Sequence, residues 1–358
     1  MAAHITSLNI ESFRGLEGLK IENLGDVNII VGDNNTGKTS VLEAIQLLYE
    51  PTLYSMAKIA MQREIYKTPK NRNDLVEAIK YLFNFENQQE VKRKIRIECL
   101  CKVHEKNSAS SLKEEKSSIT ICGQEEKQIS GDALAEENNV FFGHIEDGYQ
   151  NKYDFEFDKN SKIRRSTISK SRNQKVEFVS AMSHVVRDSF RNITKKPLLT
   201  EQAIELLKTF DPNIKGMTYK SGDDQRYVPV FIIEGVDEYV PLSVYGDGMK
   251  KALTILNAII EAEDGVVLID EFETALHTTA MDHVFKFMLD VAKELNVQLF
   301  LATHSLEAID TLLRCDEENI DRIKVVRIRK NDSGVYAETI DGSEALHIRG
   351  KYKMELRL

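Results

Sequence analysis

The chain has 358 residues, of which 42% are hydrophobic and 29% are charged, and its formal net charge is −9. These proportions exclude a wholly disordered chain, and the length allows one large or two ordinary domains. The acidic balance excludes a generally basic nucleic-acid coat, although a local basic face remains open. The longest apolar runs are too short to span a bilayer and no signal peptide is evident. We therefore expect a cytoplasmic protein without membrane contact.

The first fifty residues predict strands, a loop and a helix. Alternating apolar positions in His4–Phe13 and in Leu19–Ile21 indicate two strands, and Val27–Val31 is a continuous apolar run that ends at a glycine-bearing loop. The next helix is apolar on much of its circumference between Val41 and Leu48. Such a helix is typical of the interior of a layered α/β domain.

Residues 51–239 have a different character, with strands and helices in irregular alternation and no internal repeat. The predicted strands are Lys92–Val103, Ser118–Cys122, Tyr153–Phe157, Val176–Ser180, Gly216–Lys220, Val228–Glu234 and Glu238–Leu242. The predicted helices are Tyr54–Glu64, Asn73–Phe83, Met182–Arg191 and Thr200–Phe210. The polar, serine-rich stretch Glu105–Lys116 predicts a mobile hairpin tip or loop.

A regular α/β pattern resumes at Asp247 and continues to the end. The predicted helices are Gly248–Glu261, Met281–Leu295 and Leu306–Leu313, and the predicted strands are Val266–Ile269, Gln298–Ala302, Arg322–Arg329 and Gly334–Ile340, followed by a short tail. We therefore expect residues 1–50 and 240–358 to form one α/β domain, and residues 51–239 to be an inserted lid or arm of mixed α/β structure.

The segment GDNNTGKT, from Gly32 to Thr39, fits the pattern G-x-x-x-x-G-K-[ST]. In this pattern glycines let backbone N–H groups face phosphates, the lysine reaches the β- and γ-phosphates, and the hydroxyl ligates Mg²⁺. An accidental glycine-rich turn is the alternative, but the segment lies between an apolar strand and a helix, as the motif requires. We therefore predict binding of ATP and Mg²⁺, with Lys38 on the phosphates and Thr39 on the metal. The predicted nucleotide-binding residues are Gly32, Asn34, Asn35, Thr36, Gly37, Lys38, Thr39 and Ser40.

Two acids, Asp270 and Glu271, follow directly after the apolar strand Gly265–Ile269. Ligands bind at the carboxyl ends of strands in doubly wound sheets. Asp270 fits an acid that holds Mg²⁺, and Glu271 fits the base that orients and deprotonates the attacking water. The alternative is an acidic pair that begins a solvent-exposed loop.

His304 follows the next apolar strand, Gln298–Ala302. A lone histidine at a strand end is usually structural. One strand–helix–strand step after Asp270, however, a neighbouring parallel strand would bring His304 beside the γ-phosphate. We therefore predict a γ-phosphate-sensing role for it.

Four segments together resemble the ABC ATPase superfamily, specifically its RecF, SMC and OLD branch. They are IESFRG at Ile10–Gly15, NIIVGDNNTGKTS at Asn28–Ser40, DEFETALH at Asp270–His277 and ATHS at Ala302–Ser305. The resemblance implies a P-loop NTPase fold, an ABC ATPase-type nucleotide-binding domain with a long α+β insertion. It also implies that ATP is bound between two subunits, and hence a homo-oligomer of at least two chains.

Members of this branch carry a signature segment that contacts the nucleotide of the other subunit. The matching stretch is Leu242–Lys250, which resembles the G-[SD]-G variant and implies contacts from Gly246, Asp247 and Gly248. Either Asp247 or Ser243 could stand in place of the usual serine. A Gly-Asp-Gly helix N-cap is the alternative reading. The family also has a glutamine that links the metal to the middle domain, for which Gln46, Gln62 and Gln150 are equal candidates.

The chain ends about fifty residues after His304, without room for the metal-dependent TOPRIM domain of OLD nucleases. It is therefore similar to stand-alone ATPases that pair with a separately encoded effector, as in PARIS-type antiphage defence. The stretch Lys159–Lys175 is rich in lysine and arginine without an acid. It predicts a contact with DNA, RNA or an acidic partner, and a solvated loop is the alternative.

The leading functional hypothesis is an ATPase that acts as a sensor or motor in nucleic-acid surveillance, in prokaryotic antiphage defence with a separate nuclease-type effector. A RecF-like ATPase of DNA repair or recombination is the second hypothesis. The third is a scaffold whose assembly matters more than its slow ATP turnover.

Overall fold

The computed structural model describes residues 3–62, 78–83, 92–104, 112–129, 137–147, 152–157, 164–165, 175–183, 193, 197–221, 227–332, 334–352 and 355–356. Its strands are β1 (Ala3–Phe13), β2 (Leu16–Ile21), β3 (Val27–Val31), β4 (Lys92–His104), β5 (Leu112–Ile129), β6 (Glu137–Asp147), β7 (Lys152–Phe157), β8 (Arg164–Arg165), β9 (Val176–Val179), β10 (Ile214–Ser221), β11 (Tyr227–Ile233), β12 (Val240–Pro241), β13 (Val266–Asp270), β14 (Gln298–Ala302), β15 (Ile323–Asn331) and β16 (Gly334–Asp341). Its longer helices are α1 (Lys38–Tyr49), α2 (Leu53–Gln62), α3 (Pro197–Leu207), α4 (Asp247–Glu261), α5 (Thr278–Glu294), α6 (Leu306–Cys315) and α7 (Gly342–Tyr352).

A six-stranded sheet positions the segments that the sequence analysis singles out. Its order is β16-β15-β3-β14-β13-β9, and all neighbours are parallel except the pair β15 and β16. Every residue of β3 and of β14 is buried. Both faces of a parallel sheet are covered by other elements, so these strands are continuously apolar instead of alternating.

The two faces of this sheet pack into two separate hydrophobic cores. Val267 and Leu299 point into one core, which is completed by apolar side chains of α4, α5 and α6. Leu268 and Phe300, one residue further along each strand, point into the other core together with α1. Successive side chains of a strand alternate between faces, which divides each apolar run between the two cores.

The second core lies beneath an antiparallel sheet of order β2-β1-β4-β5-β6-β7-β8. Ile10 of β1, Ile97 of β4 and Ile121 of β5 are fully buried in it. α1 is therefore covered on two sides, and its residues from Ser40 to Tyr49 are all buried. This burial explains why the helix is apolar on much of its circumference. The remaining sheet, β10-β11-β12, packs against the first core.

Two sheets cross the sequence boundary expected at residues 51–239. β9 lies inside that range but pairs with β13 in the six-stranded sheet, and β4 pairs with β1 in the antiparallel sheet. The sequence range predicted as an insertion therefore supplies strands to both layers. The division into a nucleotide-binding domain and a lid stays a prediction.

One bound and one local prediction are wrong. β4 and β5 pair antiparallel as consecutive strands, but the predicted hairpin tip or loop Glu105–Lys116 ends too late, because Lys113–Lys116 already belong to β5 and pair with β4. Their side chains are mostly exposed, so backbone pairing and not an apolar pattern defines this part of the strand. The tail that was expected after Ile340 instead contains α7. The predicted helix Met182–Arg191 falls mostly outside the described residues. Of the predicted helix Asn73–Phe83, residues 73–77 lie outside them, and residues 78–80 are helical.

Candidate nucleotide-binding and catalytic site

The loop between β3 and α1 has a backbone that requires glycine at two positions. Gly32 has φ +152°, and a Cβ there would lie 2.4 Å from the carbonyl oxygen of Ile328. Gly37 has φ +99°, and a Cβ there would lie 2.5 Å from a methyl carbon of Leu16. Because any other residue would meet these neighbours, the two glycines fix the path of the loop.

The loop leads directly into the N-terminus of α1. Among the described residues no side chain caps this helix end, whose N-cap is Gly37. The first N–H groups of a helix and the positive end of its dipole together attract anions. Lys38 Nζ donates to the carbonyl oxygens of Gly32 and Asp33, each at 2.8 Å, so its ammonium lies over the loop. The loop therefore presents a positive concave surface of the kind that holds phosphates.

The sheet brings Thr39 to the first of the two acids. Thr39 Oγ1 donates to Asp270 Oδ2 at 2.9 Å, although the two residues belong to α1 and β13. This pairing places a hydroxyl and a carboxylate oxygen together at the edge of the loop. Oxygen donors of this kind are those that Mg²⁺ prefers, usually with substrate phosphates completing its shell. The residues present therefore fit a magnesium ion.

Glu271 and His304 lie side by side at the ends of neighbouring strands. Asp270 is in register with Ala302 across β13 and β14, so the residues that follow each strand face each other. Nδ1 of His304 is 3.8 Å from Oε1 of Glu271, and both side chains are about half exposed. Glu271 has a positive φ of 46°, and the Thr274 hydroxyl donates to its other carboxylate oxygen at 3.3 Å.

These groups line one cavity of about 1090 Å³. The phosphate loop from Asn34 to Ser40 forms one wall, and Asp270, Glu271, Thr303 and His304 form another. The cavity is also lined by Arg14, Gly15, Leu16, Ala60, Ala78, Tyr81, Lys330 and Val335. A cavity with convergent polar groups and a mixed apolar and basic lining has the size and chemistry of a ligand site.

A buried polar cluster behind the acids was missed by the sequence analysis. The Thr303 hydroxyl donates to Glu273 Oε1 at 2.6 Å, and burial raises the pKa of the Glu273 carboxyl. Lys251 of α4 is fully buried, and its ammonium lies near the backbone carbonyls of Ser180 and Glu271. Glu273 is visible in the sequence as the third acid of DEFE, but nothing in the sequence distinguishes Lys251 from its surface neighbours.

The segment Gly246–Gly248 lies away from this cavity. Gly246 is the N-cap residue of α4 and Asp247 is the first helical residue, forming an exposed ion pair with Lys250 at 3.0 Å. Ser243 is exposed in the preceding 3-10 turn at 242–244. The same residues can cap α4 and also serve as a signature segment, because residues at an exposed helix end can contact a second chain. Contact with a nucleotide stays a prediction.

Two of the three glutamine candidates, Gln46 and Gln62, lie in α1 and α2. Gln46 is buried in α1 and its side-chain oxygen accepts from Gln62 Nε2 at 3.3 Å, while Gln150 lies outside the described residues. The strand beside β13 on the side away from β14 is β9, which is followed by Ser180. The Ser180 hydroxyl is 2.9 Å from that of Ser183. Serines therefore occupy the position next to Asp270 on this side of the sheet.

Most of the basic stretch Lys159–Lys175 falls outside the described residues. Arg164 and Arg165 form the edge strand β8 of the antiparallel sheet, paired with β7. Binding of DNA or RNA there stays a prediction. In the described part of the chain, no helix is both long and apolar enough to cross a membrane.

Comparison with known protein families gives the identity of the domain. A family model described as "AAA ATPase domain" matches residues 4–309, which include the phosphate loop, both acids and His304. The chain belongs to this family. The predicted fold class, an α/β P-loop ATPase domain of ABC type, is confirmed.

Individual relatives are more distant or cover less of the chain. An "ATP/GTP phosphatase" of Helicobacter pylori is 24% identical, over 94% of this chain and 96% of that protein. The replication and repair protein RecF of Acinetobacter baumannii is 49% identical over 45 residues, which is 13% of this chain and 12% of RecF.

Two solved structures of SMC heads are similar at low identity. One, bound to the C-winged helix domain of ScpA, has 12% identity and a TM-score of 0.48, and covers 96% of this chain and 100% of that chain. The other, from Thermotoga maritima, has 12% identity and a TM-score of 0.42, and covers 94% of this chain and 99% of that chain. Likenesses of this strength support no inference about function.

Proposed function

We propose that this ATPase-family protein binds Mg²⁺-ATP in the cavity described above and hydrolyses it there. The observation that carries the proposal is the convergence of Thr39, Asp270, Glu271 and His304 on one cavity. These residues come from three separate segments of the chain, and only the order β3-β14-β13 brings them together.

Each side chain has a role that its position permits. Lys38 and the N–H groups at the start of α1 hold the β- and γ-phosphates. Thr39 and Asp270 hold Mg²⁺, which when bound neutralises charge on the phosphate oxygens. A carboxylate oxygen of Glu271 orients the attacking water and accepts its proton. His304, beside Glu271, donates to the γ-phosphate and so responds to its presence.

The site is completed by a second copy of the chain. Gly246–Gly248 form an exposed helix N-terminus outside the cavity, so within one chain they do not touch a nucleotide held at the phosphate loop. In a homo-oligomer of at least two chains, this segment covers the phosphates bound by the partner. The exposed helix end, which no side chain of the described residues caps, supports this arrangement.

In the cell the ATPase acts as a sensor or motor in nucleic-acid surveillance, in antiphage defence with a separate effector. The resemblance of DEFETALH to OLD-like ATPases supports this role. The 45-residue similarity to RecF supports the second candidate, DNA repair or recombination. Purification of the chain from its own cells separates the two: a co-purifying nuclease-type protein favours defence, and recombination proteins on DNA favour repair.

The enzymatic proposal is tested by phosphate release from ATP with the purified chain. We expect turnover with Mg²⁺, none in excess EDTA, and loss of turnover in Asp270→Asn, because an amide lacks the charge that holds the metal. The control is Asp290→Asn on the exposed surface of α5, which should match the wild type. Equal turnover in Asp270→Asn and wild type would contradict the assignment of the metal site.

A further inference from the structure

Lys251 is a charged residue buried where charge is costly. It is 0% exposed, one turn into α4, whereas the adjacent Lys250 makes an exposed ion pair with Asp247. Removing a charge from water costs several kcal/mol unless the charge is compensated. Burial lowers the pKa of Lys251 to about 8, and the carboxylates of Glu273, Asp270 and Glu271 oppose this effect. A buried ammonium at this position therefore requires contacts that stabilise its charge.

The ammonium of Lys251 is in contact with two backbone carbonyl oxygens. Nζ of Lys251 lies 3.4 Å from the carbonyl oxygen of Ser180 and 3.5 Å from the carbonyl oxygen of Glu271. Ser180 follows β9 and Glu271 follows β13. One side chain of α4 thus contacts the backbone at the ends of two neighbouring strands of the central sheet, including the backbone of the proposed catalytic base.

The first turn of α4 touches the same loop at a second point. A Cβ at Gly248 would lie only 3.0 Å from the carbonyl oxygen of Ala275, so helix and loop are in close backbone contact. Glu271 and Ala275 both have positive φ, of 46° and 70°. Non-glycine residues in this region are strained and persist only where their surroundings hold them. The N-terminal turn of α4 forms part of those surroundings.

The charge at this point is balanced by Glu273. Its Oε1 accepts from Thr303, and among the described residues its Oε2 is buried without a hydrogen-bond partner. Of the carboxylates, Glu273 acts most strongly on Lys251. The Glu273 carboxyl is therefore the group that most opposes the lowering of the Lys251 pKa by burial.

We propose that Lys251 is a positioning residue that links the signature end of α4, Gly246–Gly248, to the backbone of Glu271. The proposal rests on the proposed function, in which Gly246–Gly248 contact the nucleotide of a second chain. A small displacement of α4 on that contact is passed through the Lys251 ammonium to the Glu271 carbonyl. Contact of Gly246–Gly248 with the partner chain then shifts the position of the base.

The first test separates positioning from binding. Lys251→Met removes the donor and the charge but retains the length of the side chain. We expect kcat to fall roughly tenfold to a hundredfold, the range for a misplaced catalytic group, while KM changes less than about twofold. Lys251→Arg retains a charged donor and should recover part of kcat. Lys286→Met on the exposed face of α5 is the control and should match the wild type.

The second test asks whether Lys251 acts through Glu271. In a double-mutant cycle with Glu271→Gln, Lys251→Met should cause little further loss of single-turnover rate, because the group it positions is already disabled. A full additional loss would show that Lys251 acts elsewhere and would overturn the proposal. ATP-dependent assembly, followed by sedimentation, should persist in Lys251→Met.

The remaining outcomes decide between this inference and the proposed function. Reduced turnover in Glu271→Gln together with wild-type kcat in Lys251→Met would overturn this inference alone. Wild-type turnover in Glu271→Gln would contradict the proposed function itself. If Lys251→Met does not fold, Lys251→Gln replaces it, since glutamine is polar but too short to reach either carbonyl. A wild-type kcat in that variant would equally overturn the proposal.

Discussion

The two walls of the cavity are held in place by different means. The phosphate loop is shaped by its own backbone: Gly32 and Gly37 fit where no Cβ fits, and Lys38 bonds to carbonyls of the loop. The wall of Asp270 and His304 is supported by side chains from elsewhere, namely Thr303 on Glu273 and Lys251 on the carbonyl of Glu271. One wall is therefore local in sequence, and the other depends on tertiary packing.

This difference predicts that substitutions on the two walls affect separate properties. Changes in the loop should weaken nucleotide binding, and changes on the opposite wall should slow hydrolysis while ATP still binds. Measuring ATP binding and ATP hydrolysis separately for each substitution tests whether the two effects are separate.

The largest effect is expected from Glu271→Gln. Glutamine keeps the shape and can hydrogen-bond water, but it cannot accept the proton. General-base contributions are typically about 10²–10⁴-fold, so ATP turnover should fall by roughly that factor. Thr39 and Asp270 remain, so Mg²⁺-ATP should bind with little change. Phosphate release and equilibrium ATP binding measure the two properties.

Slow hydrolysis in Glu271→Gln should also hold two chains together on ATP. Sedimentation with and without ATP should show a larger species with ATP, and His304→Ala should show a milder version. A wild-type rate in Glu271→Gln would remove this residue as the base. Equal oligomer sizes with and without ATP would not affect the assignment of Glu271 as the base, but they would contradict ATP-driven association of two chains.

Lys38→Ala should produce the opposite pattern. It removes the charge that faces the phosphates without changing the core, and loss of one partner of such a charged contact costs about 2–5 kcal/mol of binding. ATP affinity, measured by equilibrium titration, should therefore fall by roughly 30-fold or more. Lys58→Ala on α2 is a surface control. A folded Lys38→Ala protein with wild-type affinity would contradict the phosphate-loop assignment.

The same difference explains how much was predictable. The loop is a contiguous motif in which the glycines permit the backbone conformation and the lysine contacts backbone carbonyls. Gly32–Thr39 could therefore be recognised as a phosphate-loop motif from the sequence alone. The common location of Asp270, Glu271 and His304 could be predicted because each lies at or just after the end of an apolar strand of a parallel sheet. Lys251 could not, because Lys250 and Lys251 are alike in the sequence and only the packing of α4 determines which one is buried.

Fold prediction reached its limit at pairings between distant segments. The apolar runs predicted β3, β13 and β14, but the pairing of β9 with β13 joins two segments separated by α3, a three-stranded sheet and α4. Four apolar or mixed residues carry no information about their partner strand. The start of β5 was not predicted as a strand for a related reason. Its residues are exposed and charged, and backbone pairing with β4 produces no apolar pattern in the sequence.

The buried lysine predicts a dependence of stability on pH. Burial lowers its pKa in the folded chain to about 8 from the ordinary 10.5. Between these values the unfolded chain holds a proton that the folded chain has released, so the free energy of unfolding rises with pH. Below pH 8 both states are protonated and this contribution is constant.

Comparison with Lys251→Met isolates this contribution, because all other titrating groups are shared. The wild type should gain stability relative to Lys251→Met between about pH 8 and pH 10.5, by up to about 3 kcal/mol. Urea unfolding at a series of pH values measures the difference. If the difference in the free energy of unfolding between the two proteins did not change over this range, the pKa of Lys251 would not be lowered in the folded chain.

The smallest effect is expected from Thr303→Val, which removes one hydroxyl from the support of the acidic wall. Thr303 is fully buried, donates to Glu273 Oε1 at 2.6 Å and accepts from the N–H of Ser305 at 2.9 Å. Valine has nearly the same shape, so no cavity forms, but both partners lose a hydrogen bond in a buried place. A loss of about 1–3 kcal/mol in the free energy of unfolding should follow.

The matched control is Thr254→Val, since Thr254 is equally buried but donates only to the helix carbonyl of Lys250 at 2.8 Å. Helix carbonyls already accept a backbone N–H, so this loss should be smaller. Thr303→Val should also lower kcat without weakening ATP binding, because Ser305 and Glu273 flank His304 and Glu271. If it instead weakened ATP affinity as much as Lys38→Ala does, the two walls would be one cooperative unit, and the separation on which these predictions rest would be wrong.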